Sequence, residues 1–226
     1  MAALDPDAAQ CLVRRAARAL ARAGLANAYG HCSARLDAHR FVVCAARPMG
    51  LIMAGEPGAV VPVTGPLPAG VLGEVRIHQA IYRRRADVGG VVRCLPPRVL
   101  SLSTLRRTPR ARHGFGAYFA PSPPLWDDPQ LIRSDAQAEG VAAALGDARA
   151  VVMRGNGAVT VGATLEQAVV HAWYLEDAAR VELDVLAAGR SEDEAVLTPE
   201  EARLRAIGTG RIYERMWEYL THGDPE

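Results

Sequence analysis

Gly73-Glu74-Val75-Arg76-Ile77-His78-Gln79-Ala80-Ile81-Tyr82, followed after a basic run by Asp87-Val88-Gly89-Gly90-Val91-Val92-Arg93-Cys94-Leu95-Pro96, is the stretch whose reading decides the fold. Its first half predicts an amphipathic helix, because Val75, Ile77, Ile81 and Tyr82 recur near helical spacing while Arg76, Gln79 and Arg83-Arg84-Arg85 are polar. Glu74 and His78 are four apart, which puts them on one face of that helix. Val88 to Val92 is a short β-branched run after a turn, the pattern of a buried strand, and it stops at Arg93 and two prolines. An acid at a helix start and a cation at a strand end can meet in one pocket.

Upstream, Asp7 to Ala23 reads as a helix, with Cys11, Leu12, Ala16, Leu20 and Ala23 on one face, Arg14, Arg15, Arg18 and Arg22 elsewhere, and Gly24 as its stop. Tyr29 to Leu36 and Phe41 to Cys44 form a β-hairpin across Asp37-Ala38-His39. The Gly- and Pro-rich tract from Arg47 to Gly73 is loop and edge structure with a short strand around Ala59 to Val63. Downstream, Pro97 to Leu105 is helical, Pro121 to Pro129 is a proline-rich surface segment, Asp135 to Leu145 is a helix ended by Gly146, and Ala150 to Met153 is a buried strand. Arg154-Gly155-Asn156-Gly157 turns into Ala158 to Val161 as a second hairpin. Thr164 caps a long helix to about Ala188, and a last helix from Pro199 to Leu220 carries Tyr213, Trp217 and Tyr219. This order predicts an α/β protein, an α/β/α sandwich with a central, mostly antiparallel sheet, in one domain over residues 1–226.

Half of the 226 residues are hydrophobic and 23% are charged, which makes the chain globular rather than disordered. A net charge of +1 gives no general basis for binding nucleic acid or an anionic membrane. No apolar run reaches the roughly 18 residues of a membrane span. Cys11, Cys32, Cys44 and Cys94 lack paired metal-finger spacing, and no signal peptide precedes them, so reduced thiols in a cytoplasm are expected.

These stretches resemble the class II aldolase and adducin family from the first helix to the long helix near Ala188. The resemblance is carried by Ala19-Leu20-Ala21-Arg22-Ala23-Gly24-Leu25, Gly30-His31-Cys32-Ser33-Ala34-Arg35, the opening stretch, and Met153-Arg154-Gly155-Asn156-Gly157-Ala158-Val159 with Val161-Gly162. His31 after Gly30, Cys44-Ala45-Ala46-Arg47-Pro48 with Gly50-Leu51-Ile52, and His113 ahead of Ala117 are similar to the branch acting on aromatic acids, the pyridine dicarboxylate decarboxylases and their hydroxybenzoate-forming relatives. In the sugar-phosphate branch small hydroxyl and glycine residues grip the phosphate. Leu72-Gly73 and Ala45-Ala46-Arg47-Pro48 do not match them, so a phosphorylated sugar is not expected.

The resemblance also implies a divalent metal, held by a His-x-His pair at a strand end, a third His in a Gly-rich turn, and often the Glu matching Glu74. Here those positions are Arg93 and Leu95, and Asn156. Guanidinium and leucine cannot ligate, an amide is a poor transition-metal ligand, and Glu74 alone cannot hold zinc. No catalytic metal and no cofactor are therefore expected. Cys94 points to the opposite face of its strand.

For Glu74 the resemblance implies ligation or proton transfer, and without metal it is free to act as a general acid or base; the alternative is a structural ion pair with Arg93. Arg93 either binds a substrate carboxylate or pairs with Glu74. His31 is a substrate contact or proton shuttle, or a capped hairpin histidine. His78 orients Glu74 or sits in a core or interface. His113 matches a pocket wall. Asn156 hydrogen-bonds a ligand or merely makes its turn. Tyr213 completes a neighbouring subunit's site or packs in a core.

Two functions follow. The first is a metal-independent lyase or C–C bond-forming enzyme of specialised metabolism, acting on a carboxylated aromatic or heteroaromatic substrate by decarboxylation, retro-aldol cleavage or Pictet–Spengler-type condensation. Glu74 and His31 are its expected catalytic residues, and Arg93, His113, Asn156, His78 and Tyr213 its substrate contacts. The second is a degenerate aldolase-fold scaffold or small-ligand binder. From the resemblance and the aromatic C-terminal helix, a homotetramer with fourfold symmetry and sites at subunit interfaces is expected.

Overall fold

Alternation along the strands explains the architecture, since every strand that carries apolar residues on both faces must be covered twice. The computed structural model describes residues 4–190 and 194–226. Helix α1 (Pro6–Arg22) starts where the Asp5 carboxylate accepts the Ala8 N–H and Pro6 occupies the first turn, and it buries Ala9, Val13, Ala16 and Leu20. β1 (His31–Arg35) and β2 (Arg40–Val43) form the hairpin, with Ser33 opposite Val43. Asp37 makes the turn, its Oδ1 accepting the N–H groups of His39 and Arg40 at 2.8 and 2.9 Å. β3 (Ala59–Pro62) pairs outside β2. Then come α2 (Arg76–Arg84), β4 (Gly90–Cys94) and α3 (Pro97–Thr104). β5 (Leu125–Trp126), α4 (Asp135–Leu145), β6 (Ala150–Met153), β7 (Ala158–Gly162) and the long α5 (Leu165–Ala187) follow, with α6 (Pro199–Arg205) and α7 (Ile212–Thr221) last.

The strands make one sheet in the order β3-β2-β1-β4-β7-β6-β5, antiparallel throughout except for the parallel pairing of β5 with β6. Cys32, Ala34, Val92 and Cys94 pack against α1 and α5, whereas Phe41, Val91, Val159 and Val161 pack against α2 and α4. This is the expected α/β/α sandwich. Period-two alternation then assigns Arg93 to the α2/α4 side, because Val91 lies there and Cys94 does not.

Three expectations change. Glu74 sits in a 3-10 turn, Gly73–Val75, that leads into α2, and not in the helix that carries His78. The proline-rich surface segment contains β5, whose Leu125 and Trp126 add to the sheet edge. The last helix is two helices, parted where Gly210 and Arg211 take left-handed backbone at φ 77° and 58°. Off the apolar face of α1, Arg14 and Arg18 are buried because Asp224 and Glu226 fold back onto them.

Candidate active site

β1 and β4 run side by side with His31 directly opposite Arg93, and β7 leads Asn156 in from the turn after β6. That turn is tight enough to require glycine. Gly157 has φ 75°, and a Cβ there would lie 2.1 Å from the Cys94 carbonyl oxygen. Gly30 likewise has φ 133°, and a Cβ there would lie 2.9 Å from Met49 Sδ and 3.1 Å from the Arg93 carbonyl oxygen. The strand ends, the Gly73–Val75 turn and the loop through Ile132 together enclose a cleft of about 750 Å³ lined by His31, Glu74, Arg93 and Asn156. That size suits a small organic ligand.

Arg93 dominates the cleft floor and is buried. Its Nη2 donates to Asn156 Oδ1 at 2.7 Å. Its Nε lies 3.1 Å from Glu74 Oε2, a contact held by charge, since the N–H is not aimed at the oxygen. Nη1 has no partner, nor does Asn156 Nδ2. Glu74 accepts a long hydrogen bond, 3.4 Å, from the Ile132 N–H. Both readings of Arg93 thus meet in one side chain, which pairs with Glu74 and still has an N–H corner free.

Behind the floor, His31 Nδ1 lies 2.8 Å from His78 Nε2, and His78 Nδ1 lies 2.6 Å from Ser33 Oγ. Ser33 Oγ is 2.9 Å from the Tyr82 hydroxyl, which donates to the Ser33 carbonyl at 3.1 Å. Burial, with the Arg93 charge assisting, holds the His78 imidazole down at about 3; burial first, then His78 and Arg93, holds His31 well below its ordinary value. Burial pushes the Tyr82 phenol up. His31 Nε2 is buried and without a partner.

The cleft therefore gathers His31, Glu74, Arg93 and Asn156, with His78 one layer behind as the partner of His31 rather than of Glu74. His113 and Tyr213 are elsewhere. His113 Nε2 is 2.8 Å from Asp177 Oδ2 beside α5, and the Tyr213 hydroxyl is 3.1 Å from His171 Nε2. Ser33 and Tyr82 went unrecognised in the sequence, although the signal was there: Ser33 is two from His31 on a strand and Tyr82 four from His78 on a helix. The loop residue Ile132 carried no such signal. Two other concavities, of about 710 Å³ beside Arg149 and about 330 Å³ beside Tyr174, have none of the orphaned buried atoms among their lining residues.

The donor set does not fit a divalent metal. The strand-end and turn positions present a guanidinium, a leucine and an amide, and among the described residues no group of three or more His, Cys, Asp and Glu is placed to hold one. The sequence contains no lysine, so no side-chain amine is present to form an imine with a carbonyl.

Residues 11–183 match the family profile described as the Class II Aldolase and Adducin N-terminal domain. The chain belongs to the class II aldolase and adducin family. Among curated relatives, the 3,4-dihydroxyphthalate decarboxylase of Terrabacter sp. (strain DBF63) is 29% identical over 223 residues, covering 88% of this chain and 90% of the relative. The enzyme of the same name from Arthrobacter keyseri is 29% identical over 197 residues, 77% of each chain. The fold is that of the L-fuculose 1-phosphate aldolase from Glaciozyma antarctica PI12, with TM-score 0.75 at 21% identity over 96% of this chain and 92% of that one. The family and its decarboxylase relatives support a lyase-type enzyme. Among the described residues no helix is long and apolar enough to cross a membrane.

Proposed function

We propose that this chain is a metal-independent lyase that holds a carboxylated aromatic or heteroaromatic substrate in the cleft and breaks a C–C bond, with Glu74 and His31 handling protons. The observation that carries this reading is the pair of buried N–H groups without partners, Arg93 Nη1 and Asn156 Nδ2, at the positions where metal-ligating histidines are expected in the family. Leaving a buried donor unpaired destabilises a fold by about 1–3 kcal/mol, more for a charged group. A ligand carboxylate removes that penalty, and a guanidinium matches its geometry. The same positive charge stabilises the electron pair left on carbon as the C–C bond breaks. The relatives named 3,4-dihydroxyphthalate decarboxylase favour decarboxylation: the bond to one carboxylate breaks, its electron pair stays on carbon, CO2 leaves, and that carbon takes a proton from Glu74, which first picks it up from solvent and acts in its acid form.

The test is CO2 release from 3,4-dihydroxyphthalate by protein purified without chelator, with elemental analysis in parallel. Turnover that survives EDTA, in protein without stoichiometric zinc, iron or manganese, is the expected result. Arg93→Ala is expected to lose substrate affinity with little change in melting temperature. Activity abolished by EDTA and restored by one metal per chain overturns the proposal. We also propose a fourfold homo-oligomer with clefts at subunit boundaries, supported by the exposed apolar Tyr29, Leu72 and Leu131 at the cleft. A stable monomer by light scattering overturns that part.

A further inference from the structure

Four hydrogen bonds run inward from the cleft floor, and counting their hydrogens fixes a tautomer. They join His31 Nδ1 to His78 Nε2, His78 Nδ1 to Ser33 Oγ, Ser33 Oγ to the Tyr82 hydroxyl, and that hydroxyl to the Ser33 carbonyl oxygen. Four neutral side chains supply four hydrogens. A carbonyl oxygen only accepts, so the last bond uses the hydrogen of Tyr82. Ser33 must then donate to the Tyr82 oxygen. With its hydrogen committed, Ser33 Oγ accepts from Nδ1–H of His78. His78 Nε2 is left bare and accepts from Nδ1–H of His31. No other assignment gives each bond one hydrogen, and this one leaves His31 Nε2 with a lone pair. Burial beside Arg93 keeps both rings neutral, as the count requires.

We propose that His78, Ser33 and Tyr82 hold His31 as the proton acceptor of the cleft, and that the ligand carries a hydroxyl or N–H beside its carboxylate. The acceptor half rests on the chain of bonds and the unpartnered Nε2; the ligand half also rests on the reading of Arg93 and Asn156 as a carboxylate site. Neighbouring rings support the geometry. Phe41 stacks on His78 at 6.3 Å and 27°, and the Arg35 guanidinium lies 4.5 Å over the Tyr82 ring. In the reaction the ligand O–H bond breaks and its electron pair stays on oxygen. The proton joins His31 Nε2, whose charge is balanced by the ligand oxyanion beside it, while His78 stays neutral and accepts from His31 Nδ1–H. The oxyanion formed faces the Arg93 charge. His78, Ser33 and Tyr82 are positioning residues and touch no substrate.

Nitrogen-15 spectra of histidine-labelled protein near neutral pH test the acceptor half without substrate. The expected signals are an unprotonated Nε2 and a protonated Nδ1 for both His31 and His78. Tyr82→Phe frees the Ser33 hydrogen to donate to His78, so it is expected to shift both rings toward a mixture of tautomers, although Tyr82 contacts neither His31 nitrogen. A His31 signal protonated at Nε2 in the wild type, or unchanged tautomers in Tyr82→Phe, overturns the lock.

Calorimetry with benzoate and 2-hydroxybenzoate tests the ligand half. The hydroxyl is expected to improve affinity by up to about tenfold. His31→Phe is expected to remove that advantage, read as the ratio of the two affinities falling to about one. Equal affinities for the two probes, or binding of neither, overturn the ligand class. Unchanged binding of both probes in Arg93→Ala sinks the carboxylate reading of the cleft and leaves the histidine spectra standing as a separate result.

Discussion

Arg93 and Arg18 are both buried arginines, yet one is fully engaged by its neighbours and the other is not. At the α1 end, Arg18 Nε and Nη2 donate to Asp224 at 2.9 and 2.5 Å, Nη2 also to Glu226 at 2.9 Å, and Nη1 to the Ile52 carbonyl at 3.3 Å. Arg14 binds the same Glu226, and Arg22 reaches Asp224 at 3.1 Å. Arg35 likewise places its N–H groups on the carbonyls of Val88, Tyr82 and Arg85. Arg93, one strand from Arg35, has a misaligned contact to Glu74 and an empty Nη1. Arg14, Arg18 and Arg35 are satisfied in this way, whereas Arg93 keeps a buried Nη1 without a partner where the cleft opens. Buried polar groups are ordinarily paired, and this unpaired corner lies in the cleft where the proposed ligand carboxylate would bind.

The contrast predicts opposite responses to mutation. The largest effect belongs to Glu74→Gln, expected to lower turnover by about 100- to 10,000-fold while assembly persists, since the amide keeps the shape but cannot exchange a proton. Unchanged kinetics with a true substrate would remove the cleft from the chemistry. Next is Arg18→Ala, which strands the Asp224 and Glu226 carboxylates. Urea unfolding is expected to give a stability loss of about 3 kcal/mol with kinetics preserved. If Arg18→Ala instead lowers turnover without changing stability, the two regions are not separable.

Acid sharpens the comparison, because the regions weaken in different windows. Burial holds His78 near 3 and His171 near 4, against an ordinary value of 6.5, and His31 is also held low. Below about 6.5 the unfolded chain binds more protons than the folded one. The stability tied to these neutral rings is therefore intact above 6.5 and declines as pH falls, by about 1.4 kcal/mol per pH unit for each ring until its folded value is reached. Glu226 runs the same way but lower. Its hydrogen bonds to Arg14 hold it near 2 against 4.5, so its contribution is intact above about 4.5 and is lost as pH falls toward 2. Unfolding measured from pH 7 to 3 is expected to show His78→Phe flattening the upper part of the loss and Glu226→Gln the lower part. A coincident change in both variants contradicts the assignment.

The smallest effect is expected from Tyr213→Phe. Its hydroxyl is engaged by His171, so removal is expected to lower stability by about 1 kcal/mol and leave turnover intact. A large loss of turnover would bring the C-terminal aromatic back into the site through a neighbouring subunit.

Local periodicity and turn chemistry carried most of the fold. The helix from Asp135 to Leu145, the buried strand from Ala150 to Met153, the Asn156-Gly157 hairpin and the Thr164 cap are each written within a few residues of chain. The missing metal donors were equally legible, because Arg93, Leu95 and Asn156 are residue identities. What only tertiary structure decided were relations between distant segments. β5 exists because β6 offers it an edge, Arg14 and Arg18 are buried because residues more than 200 positions away return to them, and His78 serves His31 because β1 brings His31 across from 47 residues away. A single stretch of sequence specifies which face a side chain takes. It does not specify which hydrogen meets which lone pair, and the lone pair on His31 follows from four bonds that no one segment contains.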